Sequence, residues 1–203
     1  MLIGLTGKYC AGKNHVAALL QARGLPSLDV DKLGYQVLET EKDAIFAQFG
    51  PDLQRKDGSL DRRLLGQRVF GNPAKLAALE AIVHPPANRL TDEWIAAQNG
   101  PCVINAALLH RSTAFNRLDR IIIVTAPFLT RLIRAKRRDK LSFQAVLKRF
   151  ASQRDFNSQY LSVNAEIYRV ENPGLFGSRN LRYGRNSRQK LERRIGKIIE
   201  GIN

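Results

Sequence analysis

Cysteine is scarce: Cys10 and Cys102 are the only two in 203 residues. Two distant thiols cannot build a disulfide framework or a zinc site, and their scarcity fits a reducing interior. Long apolar runs are missing as well. The opening MLIGLTGK is too short a run for a signal peptide or a membrane span, which predicts a soluble, cytoplasmic chain with no membrane role. There is no internal repeat and no low-complexity segment. Acid is the other shortage, with 18 Asp and Glu against 33 Lys and Arg, for a net charge of +15. Residues 131–203 hold 18 of the basic and 6 of the acidic residues, so +12 of the excess lies there. A basic face attracts polyanions, and nucleotides, CoA-like molecules and nucleic acids all qualify, so charge alone does not choose among them. What remains is ordinary. Apolar residues at 44% and charged residues at 25% suit a globular chain long enough to bury a core.

The hydrophobic pattern predicts strands alternating with helices. LIGLT (2–6) reads as a short buried strand, and KNHVAALLQA (13–22) as a helix with Val16, Leu19 and Leu20 on one side. Gly24 and Pro26 stop that helix, and LPSLDVD carries a weaker strand toward Asp29 and Asp31. Residues 32–49 read as helical up to Gly50-Pro51, and RKDGS (55–59) as a turn. From Leu60 to Gln98 the pattern is helical, with breaks expected at Gly71-Asn72-Pro73 and at His84-Pro85-Pro86. CVIN (102–105) and RIIIVT (120–125) look like central parallel strands, IYRVEN (167–172) like a last one. Helices are expected near 128–138 and 142–156, and a closing helix over 187–202 with Leu191, Ile195, Ile198, Ile199 and Ile202 inward. The alternation predicts an α/β, doubly wound parallel sheet.

GLTGKYCAGKNHVAALL (4–20) carries the chemistry. Gly7, four residues, then Gly12-Lys13, set between a strand and a helix start, is the spacing of a phosphate-binding loop. Backbone N–H groups and the helix dipole converge there on an anion. The glycines allow close backbone approach, and Lys13 reaches the outer phosphates as a point charge. The loop residues Gly7, Lys8, Cys10, Ala11, Gly12, Lys13, Asn14 and His15 are therefore candidate ATP contacts. The motif calls for Ser or Thr after the lysine, to hold magnesium; Asn14 stands there and is the candidate metal ligand. Cys10 reads as an inert small loop residue.

With Asp29-Val30-Asp31 added to the loop, nearly the whole chain, roughly residues 2 to 200, resembles dephospho-CoA kinases, P-loop kinases that phosphorylate the ribose 3′-hydroxyl of dephospho-CoA with ATP. The resemblance runs through IGLTG (3–7), DVDKLGYQVL (29–38), GSLDRRLLGQRVFGNPAKLAALEAIVHP (58–85), ALLH (107–110) and RAKRRDKLSFQAVLKRFASQ (134–153). It implies a five-stranded P-loop kinase domain over 1–203, with core 1–55, 99–135 and 157–203, a helical CoA-side insertion at 56–98 and a lid at 136–156. It also implies roles. Asp31 would be the base that orients and deprotonates the attacking hydroxyl, a task for a carboxylate, and Asp29 a helix cap. Arg134, Arg138 and Arg149 would close over the phosphates, with Lys13 and Arg138 joining Asp31 as catalytic residues. Asp31, Arg63, Leu64 and His84 would meet dephospho-CoA. Lys136, Arg137 and Lys140 read as a solvated face, and Trp94 as core.

The departures from the family pattern cluster. Lys8 and Cys10 replace glycines, Asn14 and His15 replace a hydroxyl pair, Asn105 replaces an acid, and Ala107 and Arg111 replace a proline and a glutamate. The expectation is a working kinase using ATP and magnesium at an altered metal site. Alternatives are a degenerate kinase that binds CoA or nucleotide without efficient transfer, or a kinase for another small nucleoside or metabolite. A nucleic-acid partner, suggested by Tyr183 among the arginines of SRNLRYGRNSRQKLERR (178–194), reads instead as a solvated basic face. Oligomeric state is left open.

Overall fold

The computed structural model describes residues 1–139, 142–153, 156, 160, 164–173 and 181–201, and of 181–188 only the backbone. Ile202, residues 140, 141, 154 and 155 of the expected lid, and the side chains around Tyr183 lie outside the described residues. The chain divides into two compact units, Met1–Leu28 with Gln98–Asn203, and Asp29–Ala97.

The first unit is built on a five-stranded parallel sheet with helices on both faces, in the order β2-β3-β1-β4-β5. The strands are β1 (Leu2–Gly7), β2 (Ser27–Asp29), β3 (Cys102–Asn105), β4 (Arg120–Thr125) and β5 (Glu166–Glu171). β1 pairs in parallel with β3 through Leu2–Leu5 and with β4 through Ile3–Gly7, which makes it central. Every residue of β1 is buried. Its near-continuous apolar run suits a strand covered on both faces.

Helix α1 (Lys13–Gln21) and the closing helix α8 (Leu181–Glu200) cover one face. Val16, Leu20, Leu191, Ile195 and Ile198 from these helices pack there on Ile3, Leu5, Val103, Ile122, Val124 and Val170. Ile199 is partly buried against the same cluster. After β4 come α6 (Phe128–Asp139) and α7 (Phe143–Ala151). Beside the glycine loop, Cys10, Ala135 and Val146 form a small core flanked by Tyr9, Leu132 and Phe150.

The second unit contains α2 (Val30–Thr40), α3 (Lys42–Phe49), α4 (Arg62–Val69) and α5 (Pro73–Ala96). Residues 56–97 of the expected insertion fall within it. Ile45, Phe49, Leu53, Leu60, Leu65 and Val69 make its core. The 55–59 turn is present: Arg55 N–H donates to the Ser59 carbonyl at 2.9 Å, and Gly58 takes a positive φ of 81°. The helix expected over 32–49 is two helices, parted at Glu41.

The expected break at His84-Pro85-Pro86 is absent, because α5 runs through both prolines. Each proline removes a helix hydrogen bond and crowds the preceding turn, at about 3 kcal/mol. Ala78, Leu79 and Ile82 before the prolines, and buried Ala87 and Thr91 after them, hold the two halves in one packed helix. Trp94, expected in the core, is only half-buried on the last turns of α5.

Candidate active site

The loop at the end of β1 is shaped by its backbone. Gly12 has φ 94° and is the N-cap of α1, with no side chain capping the helix. A Cβ on Gly12 would come within 2.1 Å of Asn172 Nδ2, and one on Gly7 within 2.7 Å of the Val124 carbonyl oxygen. Only glycine suits these two positions. Cys10 also adopts a left-handed φ, 60°, a conformation that costs a residue with a Cβ about 1–2 kcal/mol.

The loop carbonyls are held from one side. Arg131 Nε donates to the Tyr9 carbonyl at 2.8 Å, and Arg134 Nη1 to the Ala11 carbonyl at 2.9 Å and the Cys10 carbonyl at 3.3 Å. Asn172 Nδ2 also donates to the Ala11 carbonyl, at 3.0 Å, while Asn172 Oδ1 accepts from Arg134 Nη2 at 3.3 Å. In a planar trans peptide the N–H points opposite to the C=O of the preceding residue. The N–H groups of Cys10 and Gly12 are therefore turned away from Arg131, Arg134 and Asn172. Ala11 N–H closes an internal turn onto the Lys8 carbonyl at 2.9 Å. Lys13 and Asn14 follow in the first turn of α1, so outward amides, an uncapped helix N-terminus and a lysine meet in one place. That arrangement binds phosphate.

Asn14 is exposed on α1, and its Oδ1 accepts from Nδ2 of Asn105, the buried last residue of β3, at 3.3 Å. Asn105 Oδ1 is buried without a partner among the described residues. Two positions that depart from the expected metal-site pattern thus touch each other. No cluster of three His, Cys, Asp or Glu side chains exists among the described residues. Lys8 is half-buried and His15 exposed. Burial pushes the Cys10 thiol up, which keeps it protonated and unreactive.

The helices α6 and α7 bring three expected arginines to this loop. Arg134 braces its carbonyls, as above. Arg138 gives Asp139 two bonds, Nε to Oδ1 at 2.7 Å and Nη2 to Oδ2 at 3.1 Å. Arg149 Nη1 lies 3.4 Å from Asp139 Oδ2. Arg138 holds the Asp139 carboxyl below the usual carboxylate range, assisted by the Tyr9 hydroxyl. Lys136 and Arg137 are exposed, as a solvated face requires.

In the second unit, Asp29 caps α2 by accepting Lys32 N–H at 3.1 Å, the structural role expected of it. Asp31 stands in the first turn of α2, exposed. Arg63 is exposed at the start of α4, where Asp61 accepts the Arg63 and Leu64 N–H groups, each at 3.0 Å. Leu64 packs against the unit's core, and His84 is exposed on α5.

Sequence reasoning passed over Tyr9, Arg131 and Asn172. Arg131 had a weak signal, since residues 131, 134 and 138 form one i, i+3, i+7 stripe. Nothing in the sequence marks Asn172 as a loop brace.

A family model described as dephospho-CoA kinase matches residues 1–168. The dephospho-CoA kinase of Treponema pallidum is 35% identical over 188 residues, covering 87% of this chain and 89% of that protein. The crystal structure of TT1252 from Thermus thermophilus aligns with a TM-score of 0.78 at 32% identity, over 100% of this chain and 98% of that one. A dephospho-CoA kinase from Campylobacter jejuni, at 24% identity and a TM-score of 0.68 over 99% and 96%, shares the fold. A phosphate loop on the central strand, matched by a family model across most of the sequence, leads to one conclusion: this chain belongs to the dephospho-CoA kinase family, kinases that transfer phosphate to an alcohol.

Proposed function

We propose that the chain transfers the γ-phosphoryl group of ATP to the ribose 3′-hydroxyl of dephospho-CoA, giving CoA and ADP in the last step of coenzyme A synthesis. The observation that carries this reading is the loop at the end of β1, whose carbonyls are tied back while Gly12 opens an uncapped helix onto Lys13. Phosphoryl transfer asks little covalent chemistry of a protein; it asks for positioning and charge. The outward amides and Lys13 hold the β- and γ-phosphates. Asp31 orients the 3′-hydroxyl and takes its proton as the new P–O bond forms and the bond to the ADP oxygen breaks. Arg138 and Arg149 neutralise charge spreading over the equatorial oxygens. Arg63, Leu64 and His84 serve dephospho-CoA.

Magnesium bound with the nucleotide supplies further neutralisation of the phosphates, and Asn14 is the loop residue that would hold it. The donor fits, because an amide oxygen is a hard neutral ligand with two lone pairs, of which Asn105 uses one. Magnesium also keeps several waters and needs few protein ligands beside phosphates.

A coupled assay of ADP release, run on purified protein with and without dephospho-CoA in magnesium and in manganese, tests the proposal. Release should depend on dephospho-CoA. Asp31→Asn should lower turnover by about 10²-fold or more, in the range of general-base removal, with nucleotide affinity retained. Nucleotide binding without acceptor-dependent release would favour the degenerate, binding-only kinase, and normal turnover by Asp31→Asn would assign the base elsewhere.

A further inference from the structure

Tyr9 is not one of the residues a phosphate loop uses, and its backbone is spoken for. Its N–H donates to Gln153 Oε1 at 2.7 Å and its carbonyl accepts from Arg131 Nε at 2.8 Å, so residue 9 is turned toward α6 and α7. Its side chain continues in that direction. The hydroxyl donates to Asp139 Oδ2 and accepts from Arg149 Nη1 at 3.3 Å. The guanidinium carbons of Arg138 and Arg149 lie 5.2 and 5.4 Å from the ring centroid, within cation–π range. Phe150 meets the ring edge-on at 5.8 Å. Asp139 completes the group by accepting from both arginines.

One aromatic residue thus gathers two cations beside the loop. The Arg138 and Arg149 side chains are 61% and 53% exposed, so each keeps donors toward solvent while its stem and one edge are held. Long arginine side chains lose rotamer freedom when they are recruited to a transition state. Arginines already stacked and bonded lose less at that moment.

We propose that Tyr9 is a positioning residue for phosphoryl transfer: it holds Arg138 and Arg149 at the phosphate loop, ready for the charge of the transferring group. This rests on the kinase reading above, and it adds a role for one of the four residues between the loop's two glycines, whose identity the motif leaves open. Its action runs through the arginines, so the signature is in turnover rather than in nucleotide affinity.

The test compares wild type, Tyr9→Phe and Tyr9→Ala in two measurements. In steady-state kinetics, Tyr9→Ala should lower kcat at least tenfold with KM for ATP changed less than threefold. Tyr9→Phe, which keeps the ring and loses the hydroxyl bonds, should fall only two- to fourfold. In NMR spectra of ¹⁵N-arginine-labelled protein, adding ATP with magnesium should shift the Nε–H signals of Arg138 and Arg149 in wild type and leave them broadened in Tyr9→Ala.

If wild type transfers nothing to dephospho-CoA, the function reading fails and the NMR comparison, which needs no acceptor, decides the role of Tyr9 by itself. Where Tyr9→Ala does not fold, Tyr9→Phe and Asp139→Asn carry the same comparison. Arginine signals that respond identically with and without the Tyr9 ring, or without its hydroxyl in that second set, overturn the proposal. So does a kcat within twofold of wild type in Tyr9→Ala, or a loss confined to KM and melting temperature.

Discussion

Asn14 and Asn105 put two neutral amides, 3.3 Å apart, where the family resemblance leads one to expect a hydroxyl and an acid. Each is the other's partner, so replacing either alone leaves a mismatch. Asn105→Asp alone would bury a charge at a position that is 2% exposed, and Asn14→Ser alone would leave a hydroxyl too short to reach the Asn105 amide. Residues in contact couple by about 0.5–3 kcal/mol. Asn14→Ser and Asn105→Asp should each lower stability by about 1–3 kcal/mol, the cost of an unsatisfied buried group. The double variant should recover part of that loss, because the new carboxylate no longer faces the Asn14 amide oxygen, and should tighten the response to magnesium. Urea unfolding of the four proteins, with magnesium-dependent ADP release measured in parallel, gives the cycle; strictly additive losses would mean the two amides are unrelated. The loop itself was legible at this scale, because Gly7, Gly12 and Lys13 sit within seven consecutive positions. Tyr9 was not. Its partners Asp139, Arg149 and Gln153 are 130 to 144 positions away, and no local pattern distinguishes it from any loop residue.

Among the elements, α6 shows how a period in the sequence becomes a set of contacts in the fold. Arg131, Arg134 and Arg138 fall on one stripe of the helix, and in the fold that stripe meets the loop. Burial lowers the pKa of Arg131 and of Arg134 from the usual guanidinium value, yet both groups stay charged at neutral pH and are compensated by loop carbonyls and Asn172. Helix α5 shows the reverse, a local preference overruled. Pro85 is exposed within a continuous helix. Pro85→Ala restores a hydrogen bond worth about 3 kcal/mol of helix propensity, offset by about 0.4–1 kcal/mol of extra unfolded-state entropy. A net gain of about 2 kcal/mol should raise Tm by about 4–8 °C in a chain of this size. Differential scanning calorimetry checks it, and an unchanged or lower Tm would show that the proline ring itself is packed into the unit.

For the whole molecule, acid stability follows from shifted groups in both units. His110 is pushed below its ordinary value by burial and by Arg111. Its neutral form is the folded one, so its contribution is full above the unfolded value of about 6.5 and is lost as pH falls. Asp139 is lowered by its bond to Arg138, Asp52 by Arg68, Asp57 by Ser59 and Asp61 by the Leu64 N–H. Their contributions are full above about pH 3.9 and are lost as pH falls through the lower folded values. Stability should therefore rise with pH in two limbs, one ending near 6.5 and one near 4. His110→Gln should remove the upper limb and Asp139→Asn part of the lower, read from urea midpoints between pH 3 and 8. A midpoint that climbs on acidification would refute both assignments. The net +15 adds self-repulsion as carboxylates neutralise, in the same direction. No helix among the described residues is long and apolar enough to cross a membrane.

The alternation of strands and helices, the glycine loop on the first strand, the cap at Asp29 and the basic helices after β4 follow from local chemistry. Each of these is written in neighbouring residues, through a period, a spacing or a turn. That Arg134 and Asn172 grip the loop's carbonyls, that Asn14 meets Asn105, and that Tyr9 collects two arginines came about through folding alone. Range explains the difference. Hydrogen bonds and ring contacts act over a few ångströms, and the sheet order that brings β1, β3 and β5 together is what sets residues about 90 to 160 positions apart at that distance.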